Sequence, residues 1–405
     1  MRSFSAICDA HVKKWMRPLT GDFKSTYAQL HLSAQAQQLL HLAFSNLPFE
    51  KLVDYHVHVM GTKTACTGNF IHSNFLSWKH PVMHLLCLAY ENILGIEDRR
   101  EADQQVLDHL VHLIRCMPAH GKYCLLAFDS HYDENGFFDL VKSKIHVSNE
   151  YIFQVASQYP DCFLPSISVH PYRADALGEL EKWAERGVKL IKWMPNAMGM
   201  NPMDRRCMKY YDKVRDLNLI LLVHIGHESA VPVTGDQELG NPLLLRRALD
   251  QGVKVIMAHC GTLGKGKDWD HFGKKVPNFE LFLRLMDDPN YKGNLYGDLA
   301  SVTQVNRCKY LSSIIEFSQP GELLSHRLVN GSDYPLPAMN LLVSTRVLKM
   351  KGFLTEEERT GLNEIYRWNP LLFDLVLKRT IRHPQTHKKL PIDVFLVNEN
   401  LNILT

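Results

Sequence analysis

The chain has no run of about eighteen apolar residues, so no membrane-spanning helix is expected. Its nine cysteines are odd in number and scattered, with no C-x-x-C pair. That pattern speaks against a disulfide framework and predicts reduced thiols in a cytoplasmic protein. Net charge is also scarce: 46 basic and 43 acidic side chains leave +3. Near-neutrality over such a length gives no electrostatic reason to expect nucleic acid or a membrane as partner. The opening segment MRSFSAICDAHVKKWMRPLT is broken by charge too often to hold a signal-peptide core. Gly264-Lys265-Gly266-Lys267 lacks the frame of a phosphate-binding loop.

What is present is ordinary for a globular protein, with 45% apolar and 22% charged residues. The 21 histidines are the one surplus, and only their positions can decide whether they matter. Residues 1–50 read as a helical extension, with Tyr27–Phe44 free of breakers. From Leu52 the segment LVDYHVHV runs toward Gly61 as a buried strand. Residues 62–120 then form an insertion over one face, with helical runs at His80–Leu94 and Ala102–Cys116. Seven further strand-like segments follow: YCLLAFDS, FLPSISVH, VKLIKWM, LILLVHIG, VKVIMAHC, NLYGDLAS and RLVNGSDY. Amphipathic segments separate them at Leu177–Arg186, Met208–Leu217, Pro242–Gln251, Asn278–Asp287 and Arg307–Phe317. Eight strands in this rhythm predict a (β/α)8 TIM barrel, of class α/β, over residues 51–380. Residues 381–405 read as a C-terminal tail.

Polar residues concentrate where the strands end, which in a parallel barrel is the catalytic face. Strand one offers Asp54, His56 and His58; strand two Asp129 and His131; strand three His170. Strands four to eight end in Lys192, His224, His259, Asp298 and Asp333. Residues two apart on a strand share a face, so Asp54, His56 and His58 are expected to point inward, with Asp54 lower and either hydrogen-bonding locally or orienting a ligand. A lone histidine on an apolar strand is ordinarily a satisfied core residue. Five ligand-type residues at matching strand ends reverse that reading. His56, His58, His224, His259 and Asp333 make a set suited to zinc or a similar divalent ion. Cys260, of opposite parity to His259, reads as core packing. The histidines at 72, 80, 84, 109, 112 and 120 read as mostly structural.

The phrases DYHVHVMG, GVKLIKWMP, LLVHIGHE, GNPLLLRRALDQGVKVIMAHCG, NLYGDLAS and LVNGSDYPLP resemble the amidohydrolase superfamily over residues 52–340. The likeness is closer to its amidohydrolase-related branch, which includes amino-carboxymuconate-semialdehyde decarboxylase and related decarboxylases and lactone hydrolases. The resemblance implies a metal held by His56 and His58, with Asp333 beside it and beside the attacking water. It implies that His224 and His259 bind a second ion or divide into a ligand and a polarising group. Lys192 is either a carbamylated ligand bridging two ions or a free amine facing Asp298 or a substrate carboxylate. Catalytic roles are expected for Asp333, His259 and Lys192. Substrate contacts are expected from His170, Glu228 and Asp298; a surface loop for Glu228 and a buried carboxylate for Asp298 are the plainer alternatives. The implied activity is hydrolysis of a small-molecule amide, lactone or related C–N or C–O bond by metal-activated water. Non-oxidative decarboxylation of an unsaturated or aromatic acid is the alternative on the same scaffold, and an inactive barrel acting as a binding protein a third. The terminal extensions suit a homodimer.

Overall fold

In a computed structural model of the chain, residues 4–20, 32–60, 67–231, 233 and 237–404 are described. The predicted helix start at 27–31, Gly61 and the loop at 62–66 fall outside them.

Eight short parallel strands build the sheet: β1 Val53–His58, β2 Lys122–Leu126, β3 Phe163–Ile167, β4 Leu190–Trp193, β5 Ile220–Val223, β6 Lys254–Met257, β7 Leu295–Asp298 and β8 Leu328–Val329. They lie in chain order, each parallel to the next. Past the last strand, Tyr55 N donates to Asn330 O at 2.9 Å, His58 N to Tyr334 O at 2.9 Å and Asp333 N to His56 O at 2.8 Å. These bonds draw the segment after β8 back onto β1, so the barrel is nearly closed.

Alternation sorts the strand residues into two cores. Tyr55, Cys124, Leu190, Leu222, Ile256, Tyr296 and Val329 meet inside the barrel. Leu125, Ile191, Leu221 and Val255 face the helices outside. The tail contributes Leu401 and Ile403 to the inner cluster, and Asn398 N donates to the Tyr55 hydroxyl at 3.1 Å. The C-terminal tail thus plugs the barrel at the end away from the strand C-termini.

The helices between strands match the amphipathic segments: Ala176–Glu185, Cys207–Asp216, a helical run over 242–250, Asn278–Asp287 and Leu311–Phe317. Near the N-terminus, α1 (Phe4–Thr20) packs on α3 (Pro81–Ile93), and α2 (Ala34–Phe44) packs on the helices Glu356–Trp368 and Pro370–Thr380. Between β1 and β2 the chain adds α3 and α4 (Ala102–Arg115), and Phe70–Ile71 pairs antiparallel with Ile145–His146. No helix among the described residues is long and apolar enough to cross a membrane.

Candidate metal centre

Two local irregularities of the backbone, which no alternation rule predicts, aim the histidines. The register of β1 against β2 shifts between Asp54 and Val57. Because of this bulge, Tyr55 and His56 both face inward, while Asp54 turns outward beneath the final helix. The expected shared face of Asp54, His56 and His58 is therefore corrected: one extra residue in the strand inverts its parity. Asp54 Oδ1 instead accepts from His56 N at 3.0 Å and Ser332 N at 2.9 Å, tying β1 to the turn after β8. Burial pushes its carboxyl up to about 6. At the end of β6, His259 and Cys260 take φ values of 59° and 48°. Ala258 lies in the inner cluster, so regular alternation would send His259 outward; the left-handed step re-aims it. Asp333 (φ 62°) and Ser301 (φ 59°) are held the same way. Such conformations cost on the order of 1–3 kcal/mol each and persist where the surroundings over-determine them.

The side chains then converge. His56 Nδ1 lies 2.7 Å from Asp298 Oδ2, so Nδ1–H donates to the carboxylate and the lone pair is on Nε2. That Nε2 faces His58 Nε2 at 3.2 Å, Lys192 Nζ at 3.0 Å and Asp333 Oδ1 at 3.4 Å. His58 Nε2 is 3.6 Å from the same oxygen. Asp298 Oδ1 accepts from His259 N at 2.6 Å, so one carboxylate positions two of the histidines. His259 Nδ1 donates to Ala300 O at 3.1 Å, leaving Nε2 as an acceptor for His224 Nδ1–H at 3.2 Å. The remaining His224 Nε2 is buried without a hydrogen-bond partner, 3.4 Å from Glu228 Oε2.

Burial acts on every group here and decides the shift of all but Asp333. It drives His56 down to about 3, helped by Lys192, and lowers His58, His224 and His259 well below the usual imidazole range. All four are neutral and able to ligate. Burial pushes Asp298 up to about 6 and Glu228 upward. For Asp333 burial also pulls upward, but His56, His58 and the Ser301 hydroxyl outweigh it and hold the carboxyl below its usual value. Burial lowers Lys192 to about 8, against the pull of Asp298 and Asp333.

These residues fit a divalent ion. Ligands about 2.05 Å from one tetrahedral zinc lie about 3.3 Å apart, close to the 3.2, 3.4 and 3.6 Å among His56, His58 and Asp333. The close approach of these ligand-type atoms, and the buried His224 Nε2 without a hydrogen-bond partner, fit a bound cation. Two groupings of metal-ligand atoms form here, His56–His58–Asp333 and His56–His259–Asp298. A third, His120–Asp161–Cys162, lies at the opposite end of the barrel, where Arg115 already holds Asp161 at 3.0 Å.

His56, His58, His224, His259, Glu228 and Asp333 line a cavity of about 260 Å³. Lys192 and Asp298 sit behind them, buried, so Asp298 acts through His56 and does not reach a substrate directly. Glu228 Oε1 accepts from Ala230 N at 2.5 Å and Val231 N at 2.7 Å, which fixes it beside His224. His170 does not line the cavity: Nε2 bonds Met198 O at 3.0 Å and Nδ1 accepts from Tyr172 N at 3.1 Å. The backbone saturates it, so the expected substrate contact has no free nitrogen. Asp129 is likewise occupied, by His170 N at 2.8 Å and Arg173 at 3.0 Å. None of the six insertion histidines lines the cavity; Leu86 and Tyr90 reach it instead. Sequence reasoning missed Ser301, whose hydroxyl donates to Asp333 Oδ2 at 2.5 Å, and Arg307, a lining residue. Ser301 ends the strand-like segment NLYGDLAS and Arg307 opens the amphipathic segment after it, and periodicity singles out neither as a site residue.

Residues 123–362 match the model of the amidohydrolase family. No curated protein matches the chain. Among solved structures, an uncharacterised TIM-barrel protein from Bordetella bronchiseptica is similar at 17% identity and a TM-score of 0.46, over 77% of this chain and 98% of that one. A putative 2-pyrone-4,6-dicarboxylic acid hydrolase from Pseudomonas putida is similar at 14% identity and a TM-score of 0.43, over 71% and 83%. A 2,6-dihydroxybenzoate decarboxylase from Rhizobium is similar at 12% identity and a TM-score of 0.40, over 78% and 99%.

Proposed function

The chain belongs to the amidohydrolase family, and from that premise we propose that it is a metal-dependent hydrolase of a small-molecule amide, lactone or related C–N or C–O bond. One observation carries the reading: the Nε2 of His56, the Nε2 of His58 and Oδ1 of Asp333 converge within 3.2–3.6 Å at the wall of the cavity. His56, His58 and Asp333 would hold the ion, with His224 and His259 as further donors; zinc suits this set. A bound divalent ion lowers the pKa of water to about 7 and polarises a carbonyl oxygen.

The chain's own groups do the rest. Asp298 fixes the tautomer of His56 and, through His259 N, the place of His259. Ser301 occupies Oδ2 of Asp333, so Oδ1 is the oxygen turned toward the histidines. Held ionised, Asp333 accepts the proton of the attacking water and returns it to the leaving group. Lys192, neutral in good part above pH about 8, is the amine that carbon dioxide can carbamylate into a further carboxylate ligand. The eight described cysteines are free thiols, which supports a reducing compartment such as the cytoplasm.

The test is metal content per chain by plasma mass spectrometry, on protein purified without chelator and with bicarbonate present. At least one ion per chain is expected, and about two if Lys192 is carbamylated. His56→Ala should lose metal and hydrolysis of an amide and lactone panel together. A wild-type chain that holds no metal even after reconstitution would refute the reading.

A further inference from the structure

Two loops at the catalytic end of the barrel carry large apolar side chains that the fold leaves in water. After β6 the chain leaves the cavity lining at Leu263 and enters a hairpin, in which Lys265–Asp268 pairs antiparallel with Lys274–Pro277. The turn between them holds Trp269, about half exposed, and Phe272, fully exposed. Phe272 takes a φ of 57°, uncommon for a bulky residue, and its ring gains no burial within the chain to offset that conformation. The loop after β2 likewise exposes Phe137, Leu140 and Val141. β2 and β6 stand four places apart in the eight-stranded order, so the two apolar loops flank the mouth on opposite sides. Exposed apolar surface of this kind marks an interaction face.

The hairpin is also basic, and its own acids do not cancel the charge. Arg284 holds Asp268 through two bonds of 2.7 Å, and Arg246 holds Asp270 at 2.6 and 2.5 Å. Glu238 faces Lys275 at 3.5 Å. Lys265, Lys267 and Lys274 are exposed and have no acidic partner among the described residues. A net charge of +3 spread over the whole chain hides this local surplus.

Aromatic rings at a turn tip beside unpaired lysines suit a membrane interface, where rings sit at headgroup level and ammonium groups meet anionic lipid. An acidic protein would satisfy the lysines, but there a protruding ring needs a fitted pocket. Fluid lipid accepts it in any shape. A second copy meeting this face about a twofold axis would set the basic patch against itself.

We propose that the catalytic end of the barrel docks on an anionic lipid bilayer. Trp269 and Phe272 enter the boundary between headgroups and acyl chains, Lys265, Lys267 and Lys274 meet the headgroups, and Phe137, Leu140 and Val141 anchor the far side of the mouth. The cavity then opens toward the lipid. Docking of this kind does not depend on which bond the metal centre breaks.

The test is cosedimentation of the full chain, as purified, with vesicles of phosphatidylcholine alone or with about a third phosphatidylserine. Binding should favour the phosphatidylserine vesicles and weaken as salt is raised. Lys267→Gln should weaken it about fivefold and Phe272→Ser about tenfold. Both side chains are exposed, so neither change disturbs the core. A wild type that sediments with neither vesicle overturns the proposal, and so does equal binding to both; these outcomes need no variant to fold. If Phe272→Ser binds as well as the wild type, the lysines act alone, as they would on an acidic protein, and the lipid assignment fails. Sedimentation velocity checks the other occupant: a dimer that Phe272→Ser splits would give the face to a second copy and overturn the proposal.

Discussion

At the scale of single residues, the site depends on charges kept out of water. Lys192 is 1% exposed, and burial lowers its ammonium from 10.5 to about 8. The sign of the linkage follows. Below pH 8 folded and unfolded chains both hold the proton, and the folded state bears the full cost of a buried ammonium. Between pH 8 and 10.5 the unfolded chain binds more protons, so stability rises with pH by on the order of 3 kcal/mol. In chelator-treated protein the urea midpoint of the wild type should therefore gain on that of Lys192→Met between pH 7.5 and 10. Parallel pH profiles would show that the amine is already neutral or well solvated. The position of Lys192 was legible in the sequence, because it keeps the parity of Leu190 on a regular strand. That of Asp54 was not, because the bulge after it leaves no mark in the pattern of apolar residues. His259 was placed correctly at its strand end, but what turns it inward is a left-handed step that alternation does not encode. Arg307 lay beyond reach for a different reason: periodicity identifies strand ends, whereas a cation in the loop after β7 becomes a site residue only through the fold.

At the scale of elements, the eight strands and the helices between them were legible because each buries one repeating face. The insertion was legible as helices, but not for what holds it. Asp9 of α1 is the hook. Its Oδ1 faces His84 Nε2 at 2.9 Å and accepts from Trp78 Nε1 at 3.0 Å, while Oδ2 meets Arg99 at 3.1 Å. Lys13 adds bonds to Glu91 Oε2 at 3.1 Å and to Ile96 O at 2.7 Å. Partners so far apart in sequence have no local signature. Because α3 carries Leu86 and Tyr90, the N-terminal helix braces one wall of the cavity from behind. Asp9→Ala should leave the buried ring nitrogen of His84 without an acceptor, at a cost of about 1–3 kcal/mol. The loss should be local: hydrogen exchange should quicken in α1 and α3 while the barrel strands keep their protection. Uniform loss across all elements would mean that α1 and the barrel unfold as one unit.

At the scale of the whole molecule, the barrel divides its work between its two ends. The tail residues Leu401 and Ile403 close the lower end with hydrocarbon. The upper end gathers four neutral imidazoles, three buried carboxylates and a lysine around a space none of them fills. A fold that gathers ligand-type side chains at one end should be stabilised by whatever ion they hold, since binding to the folded state alone draws the equilibrium toward it. At a free ion concentration about a thousand times the dissociation constant, that stabilisation is about 4 kcal/mol. Unfolding entropies scale with chain length, so for 405 residues it corresponds to a rise of about 5 °C in the melting temperature. Scanning calorimetry of chelator-treated protein against added zinc should show that rise, and the rise should grow with the logarithm of zinc concentration. His56→Ala should flatten the dependence, whereas Arg307→Met should leave it intact because that side chain stands outside the ligand set. If zinc leaves the wild-type melting temperature unchanged at every concentration, the converging nitrogens are a structural cluster and the barrel does not take its stability from an ion.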